Sequence, residues 1–207
     1  MSFITHHSSL HLGVVILGAG ASSRMGKPKL LLPWEETTII GHLISQWQEL
    51  NASQIAIVVR PNDDLLFAEL KRLNFPMQNC IENSQPEHGM FSSILCAANW
   101  NGWNKEISHF AIALGDQPHL EMKTLQTLLK FVTQNPQSIC QPMCGNRIGH
   151  PAILPREIFG ELQHSRAGTL KDFLKHFSGQ SVQCVINDSG VTLDLDTPED
   201  YNRVRAT

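Results

Sequence analysis

The chain has 207 residues, 42% apolar and 17% charged, enough to bury one substantial core, and its net charge of -3 supplies no basic field for gripping a polyanion such as nucleic acid. No apolar run approaches the roughly 20 residues that span a bilayer, and the opening MSFITHHSSLHL lacks the basic start and apolar stretch of a secretory signal. A cytoplasmic location is expected, and it suits the five cysteines, an odd number with no C-x-x-C pair.

In chain order, residues 1–12, with three histidines and three serines, read as a loose arm ahead of one domain over 13–207. The Val/Ile-rich run Val14–Leu17 is a buried strand. Helical periodicity follows over Ile39–Leu50, then a strand at Ile55–Val59 and a helix over Asp63–Leu73, with Asp63 placed as its N-cap. The spacing next predicts a helix over Phe91–Trp100, a strand at His109–Leu114 and a helix over Leu120–Thr133. Strands at Ser138–Met143 and Ala152–Leu154 precede a helix over Thr169–Phe177 and a strand at Val182–Ile186. A last helix over Pro198–Val204 starts from Thr197 as N-cap, with Asp200 positioned to reach back. No fixed-period repeat appears. Strands alternating with helices imply an α/β fold, a largely parallel sheet with helices on both faces, whose ligands bind beyond the carboxyl ends of the strands.

Two loops at such ends are distinctive. GAGASSRMGKPK follows the first strand, where Gly18, Gly20 and Gly26 permit a tight turn and Arg24, Lys27 and Lys29 offer charged donors suited to a triphosphate. Pro28 stands where a Walker A loop needs Ser or Thr, and Ser23 where a dinucleotide fingerprint needs its third glycine. GDQPHL follows the strand His109–Leu114, so the Asp116 carboxylate emerges at the sheet edge, either beside a hard cation or in an Asx turn with Pro118. Cys140 and Cys144, with His150 nearby, lack regular metal spacing and a fourth ligand, so the cysteines read as structural or incidental rather than as a zinc site.

The stretch LGAGASSRMGKPKLLLPW resembles the signature of nucleotidyltransferases that attach a nucleoside monophosphate to molybdopterin, and its LLLPW ending is most similar to the cytidylyltransferase branch. Further matches follow in order: HGMFSSI at His88–Ile94, GDQP at Gly115–Pro118, GHPAIL at Gly149–Leu154 and DLDTPEDY at Asp194–Tyr201. The resemblance, which spans nearly the whole chain, implies a Rossmann-like three-layer αβα sandwich of the nucleotide-diphospho-sugar transferase type. It implies an enzyme in which a terminal phosphate on the pterin attacks the α-phosphate of CTP, expelling pyrophosphate, with Mg2+ as cofactor. Leu17, Gly18, Ala19, Gly20 and Ser22 would approach the nucleotide, Lys29 the α-phosphate and Arg24 the outer phosphates. Asp116 and Asp196 would hold Mg2+, with Asp194 supporting them from the same face of an extended segment.

By the same resemblance Gly89, Ser92 and Ser93 approach base and sugar, while Met90 and Phe91 pack inward. His150 either touches the acceptor or fixes the turn before Pro151; Trp34 covers the loop, and Trp47, Trp100 and Trp103 pack. Two departures stand out: Gly18 replaces the usual alanine of L-A-A-G, and Ser165–Leu174 replaces an acidic segment of the cytidylyl branch. The rival readings are a transferase of the same fold using GTP or a sugar or polyol phosphate, and a non-catalytic carrier delivering molybdenum cofactor to a partner molybdoenzyme.

Overall fold

The computed structural model describes residues 10–20 and 25–205, so residues 1–9 of the expected arm, with Ser22 and Arg24 of the first loop, lie outside the described residues. In chain order the elements are β1 (Leu12–Leu17), β2 (Pro33–Trp34), β3 (Thr37–Thr38), α1 (Ile39–Glu49), β4 (Gln54–Val59), α2 (Asp64–Arg72), β5 (Cys80–Glu82) and α3 (Met90–Asn99). There follow β6 (His109–Leu114), α4 (Met122–Gln134), β7 (Ile139–Cys144), β8 (Arg147–Ile148), β9 (Ala152–Pro155), α5 (Arg156–Glu161), α6 (Leu170–Lys175), β10 (Ser181–Val185) and α7 (Pro198–Arg205).

The main sheet runs β10-β7-β9-β6-β1-β4-β5, with β8 paired to β7, while β2 and β3 form a separate small hairpin. β1 lies parallel to both β4 and β6, with Val15 opposite Ala56 on one side and Ile112 on the other. β9 is antiparallel to both β6 and β7, which leaves β7 and β10 running the same way as the centre. The sheet is therefore mostly parallel with one reversed inner strand.

Alternation along the strands divides the core in two. Val14, Ile16, Ile55, Ile57 and Ala111 face a layer built on α1, α2, α4 and α7, including Leu43, Leu70, Leu128 and Tyr201. Val15, Ala56, Val58, Phe110 and Ile112 face α3, α5 and α6 through Ile94, Phe159 and Phe173. Each such Ile or Val adds about 1.5–3 kcal/mol on burial. This is the expected α/β/α sandwich, with both sheet faces covered as a parallel sheet requires.

Local chemistry sets the helix starts. Thr38 accepts from the Gly41 N–H at 3.2 Å and Asp63 from the Leu66 N–H at 3.1 Å. At α7 the Thr197 hydroxyl accepts from the Asp200 N–H at 3.1 Å, and the Asp200 carboxylate accepts from the Thr197 N–H at 3.1 Å, a reciprocal box. β1 starts at Leu12, inside the expected arm, because Leu12 is 2% exposed and pairs with His109. β5, β8 and α5 were not expected; they have three, two and six residues, too short to show a period.

Candidate active site

The carboxyl ends of β1 and β6 open into a cleft of about 620 Å3. Its first wall is the chain leaving β1: Leu17, Gly18, Ala19 and Gly20. The Gly18 N–H is already bonded to the Val58 carbonyl at 2.8 Å, and a Cβ on Gly18 would lie 2.9 Å from that oxygen and 3.1 Å from Leu30. A Cβ on Gly115 would lie 2.7 Å from the Leu17 carbonyl and 2.9 Å from Leu30. The two glycines together make room for the Leu30 side chain, which fixes the single 3-10 turn Lys29–Leu31 over the end of β6. The departure at Gly18 is thus a packing requirement of this chain, whereas a Cβ on Gly20 would meet nothing within 4 Å.

That turn delivers Lys29. Its Nζ lies 3.1 Å from Asp116 Oδ2 and 3.4 Å from Asp196 Oδ1, joining three residues widely separated in sequence. The side chains are 11%, 26% and 34% exposed, so the ion pairs are shielded more than surface pairs are. Burial raises the Asp116 carboxyl above the ordinary range; Lys29 pulls it down, and Asp194 and Asp196 push it up further. Asp116 Oδ1 is buried with no hydrogen-bond partner. Two converging carboxylates, one with an orphaned oxygen and both facing an ammonium, form an oxygen-donor set that fits a hard cation. Among the described residues no group of three or more His, Cys, Asp or Glu side chains could hold a metal, so further ligands would come from substrate phosphates and water, the usual arrangement for Mg2+.

The second acidic strip is held in place by residues just after β6. Leu195 N–H donates to the Asp116 carbonyl at 3.2 Å. Gln117 Nε2 lies 3.1 Å from both the Leu193 carbonyl and Asp194 Oδ1. His119 Nε2 donates to the Gly190 carbonyl at 3.1 Å, and Thr124 donates to Asp188 at 2.6 Å. Burial lowers the His119 imidazole below its ordinary range, so it stays neutral. The sequence marked Asp194 and Asp196 but not Gln117, His119 or Thr124, whose partners lie some 70 residues away.

The α3 side of the cleft is formed by Gly89, which begins the helix at φ 85°, and by Ser93. Ser92 does not line the cleft: its hydroxyl lies 2.8 Å from the Gly89 carbonyl and 3.1 Å from that of Gln85. Asn83, 1% exposed, donates to both serine hydroxyls and accepts from the Gln85 N–H, so it sets the shape of this loop; a polar residue directly after a strand was its only signal. Met90 corrects the expectation of inward packing, since it is 46% exposed and lines the cleft while Phe91 is buried. Trp34 shares the core cluster of Met25, at the far end of the loop. It is buried between His42 and Tyr201, whose rings lie 6.1 and 6.3 Å away, and the Tyr201 hydroxyl donates to the Pro33 carbonyl.

The last wall carries His150, whose Nδ1 faces the Ile112 carbonyl at 3.4 Å and whose imidazole burial keeps neutral. A smaller cleft of about 440 Å3 shares Gly18, Gly20 and Lys29 and adds Lys27, Arg60 and Asp63; Arg60 stands in no motif that would single it out.

The chain as a whole resembles known proteins in sequence and fold. The chain is 24% identical to the molybdenum cofactor cytidylyltransferase of Escherichia coli K12 over 90% of its own length and 92% of that protein. The crystal structure of Rv0371c from Mycobacterium tuberculosis H37Rv superposes with a TM-score of 0.71 at 25% identity, covering 95% of this chain and 98% of that one. Molybdopterin-guanine dinucleotide biosynthesis protein A from Archaeoglobus fulgidus shares the fold with a TM-score of 0.65 at 16% identity, over 94% and 97% of the two chains. The family model of the MobA-like NTP transferase domain matches residues 14–183, a span that holds the glycine turn, Lys29 and Asp116, and the chain belongs to that family of nucleotidyltransferases.

Proposed function

We propose that this chain transfers CMP from CTP to the terminal phosphate of molybdopterin or molybdenum cofactor, releasing pyrophosphate, with Mg2+ held by Asp116 and Asp196. The observation that carries this reading is Lys29 Nζ within 3.4 Å of both carboxylates, at the mouth of the glycine turn. The likeness to the Escherichia coli cytidylyltransferase over 90% of the chain supports the choice of nucleotide and acceptor.

An acceptor phosphate oxygen forms a bond to the α-phosphorus while the bond from that phosphorus to the bridging oxygen breaks, and pyrophosphate leaves with the electron pair. Such a displacement needs no nucleophilic side chain; it needs in-line positioning and neutralisation of oxygens that gain charge. When bound, Mg2+ supplies Lewis-acid neutralisation of the phosphate oxygens. Lys29, held over the end of β6 by Leu30, offers its ammonium to the α-phosphate, and Gly20 leaves backbone open for close approach. Ser93 and Gly89 orient the nucleoside from the α3 side. By the resemblance, Arg24 is assigned to the outer phosphates and Ser22 to nucleotide binding.

The test is pyrophosphate release by the purified protein with CTP, GTP or ATP, offered molybdopterin or a sugar phosphate, with and without a chelator. Turnover confined to CTP, pterin phosphate and added Mg2+ is expected. Turnover with a sugar phosphate alone would reject the acceptor, and turnover with GTP alone would reject the nucleotide.

A further inference from the structure

The cleft has a charge problem that the residues named so far do not solve. Asp116, Asp194 and Asp196 line it, and Lys29 is already engaged by two of them. A phosphomonoester entering as second substrate meets three carboxylates as well as a triphosphate, so its anionic group needs a cation of its own. Among the described residues lining the cleft, the other cation is Arg147. Its guanidinium donates to the Thr192 carbonyl at 3.3 Å, a backbone contact, which leaves its charge unneutralised by that bond. Arg147 is exposed, at the start of β8.

The chain builds this position deliberately. Cys144 pairs with Arg147 across a two-residue turn, Gly145-Asn146, whose glycine has φ 59°, the left-handed first position of a tight hairpin. The hairpin projects Arg147 and Ile148 from the end of β7 into the cleft on the wall that also carries His150. Ile148, 51% exposed, and Met90, 46% exposed, present apolar surface to the same cleft. A fork of charged donors beside two exposed apolar side chains matches a phosphomonoester attached to a flat, partly apolar body.

We propose that Arg147 binds the phosphate of the acceptor, and that the β7-β8 hairpin is the acceptor-binding element, with Met90 and Ile148 contacting the acceptor's ring system. The identity of the acceptor as a pterin phosphate rests on the function proposed above; the role of Arg147 does not.

Steady-state kinetics of the wild type, Arg147→Ala and Arg147→Lys, with molybdopterin and with a sugar phosphate, test this. Loss of a charge-assisted fork raises the acceptor KM about 10- to 100-fold in Arg147→Ala. CTP affinity, measured separately by calorimetry, stays within about twofold, and Arg147→Lys recovers part of the acceptor affinity because it keeps the charge. An acceptor KM unchanged in Arg147→Ala overturns the inference, as does an equal loss of nucleotide and acceptor binding. If the wild type uses only the sugar phosphate, the pterin reading fails, and the same KM comparison with that acceptor still decides whether Arg147 holds its phosphate.

Discussion

Asp116 occupies the least favourable electrostatic position in the cleft. Its carboxyl is raised by burial, one oxygen lacks a donor, and the neighbouring Asp194 and Asp196 repel it, with Lys29 as the opposing attraction. A fold does not retain such a group for stability, since burial and two like charges oppose its ionised form, and a neutral amide of the same shape escapes both costs. Asp116→Asn is therefore expected to leave the melting temperature unchanged or raised, because Lys29 keeps its pairing with Asp196. Transfer should fall by about 100-fold or more, the scale on which a preorganised electrostatic contact acts. Thermal melts beside pyrophosphate-release kinetics check both halves. Full activity would remove Asp116 from the chemistry, and a large drop in melting temperature would make it a structural residue instead.

At the scale of elements, α7 links the cleft carboxylates Asp194 and Asp196 to the rest of the molecule. Asp196 directly precedes the Thr197-Asp200 box, and Tyr201 one turn on is buried against Trp34 and bonded to the Pro33 carbonyl. Thr197→Ala removes the hydroxyl that accepts from the Asp200 N–H, which costs about 1 kcal/mol of stability. Because the loosened turn carries Asp196, the proposed metal ligand, the variant should also require more divalent metal for half-maximal activity, read from a metal titration beside denaturant unfolding. An unchanged metal requirement alongside the stability loss would show that α7 does not position Asp196. This cap and the one at Asp63 were legible in the sequence, because a capping residue and its partner lie three positions apart. The long strands were legible too, from Val and Ile runs such as Val14–Leu17. The reversal of β9 was not: alternation tells which face a side chain takes, not which way its strand runs. α5, reading REIFGE, buries only Ile158 and Phe159 and shows less than two turns of period.

At the scale of the whole molecule, the site was half written in the sequence. Lys29 and Asp116 announced themselves by residue type in distinctive loops, whereas Asp196 was marked by the family resemblance of its DLDTPEDY segment; sheet order β6-β1-β4 brings the first two together. Asn83 and Arg147 meet partners that only the fold supplies, and Gln117, though inside the GDQP match, shows its bond to Asp194 only in the folded chain. The fold also leaves a pH signature. His109 on β6 donates from Nε2 to the Pro136 carbonyl at 2.9 Å and accepts at Nδ1 from Ser108 at 2.9 Å; burial holds it below the ordinary imidazole range, as it does His119 and His150. The unfolded chain titrates these rings near pH 6.5, while the folded chain resists protonation until lower pH. As pH falls through about 6.5 the unfolded state takes up protons first, so stability is full above that value and is lost below it, by at most about 1.4 kcal/mol per group for each pH unit until the folded pKa is reached. The melting temperature should hold level from about pH 8 to 7 and then decline, before the ordinary carboxylates titrate near pH 4. His109→Gln keeps a donor for the Pro136 carbonyl without a titrating ring, so it should flatten part of that decline, while its distance from the cleft lining leaves transfer at pH 7.5 unaffected. A melting profile as steep in the variant as in the wild type would take His109 out of the pH response.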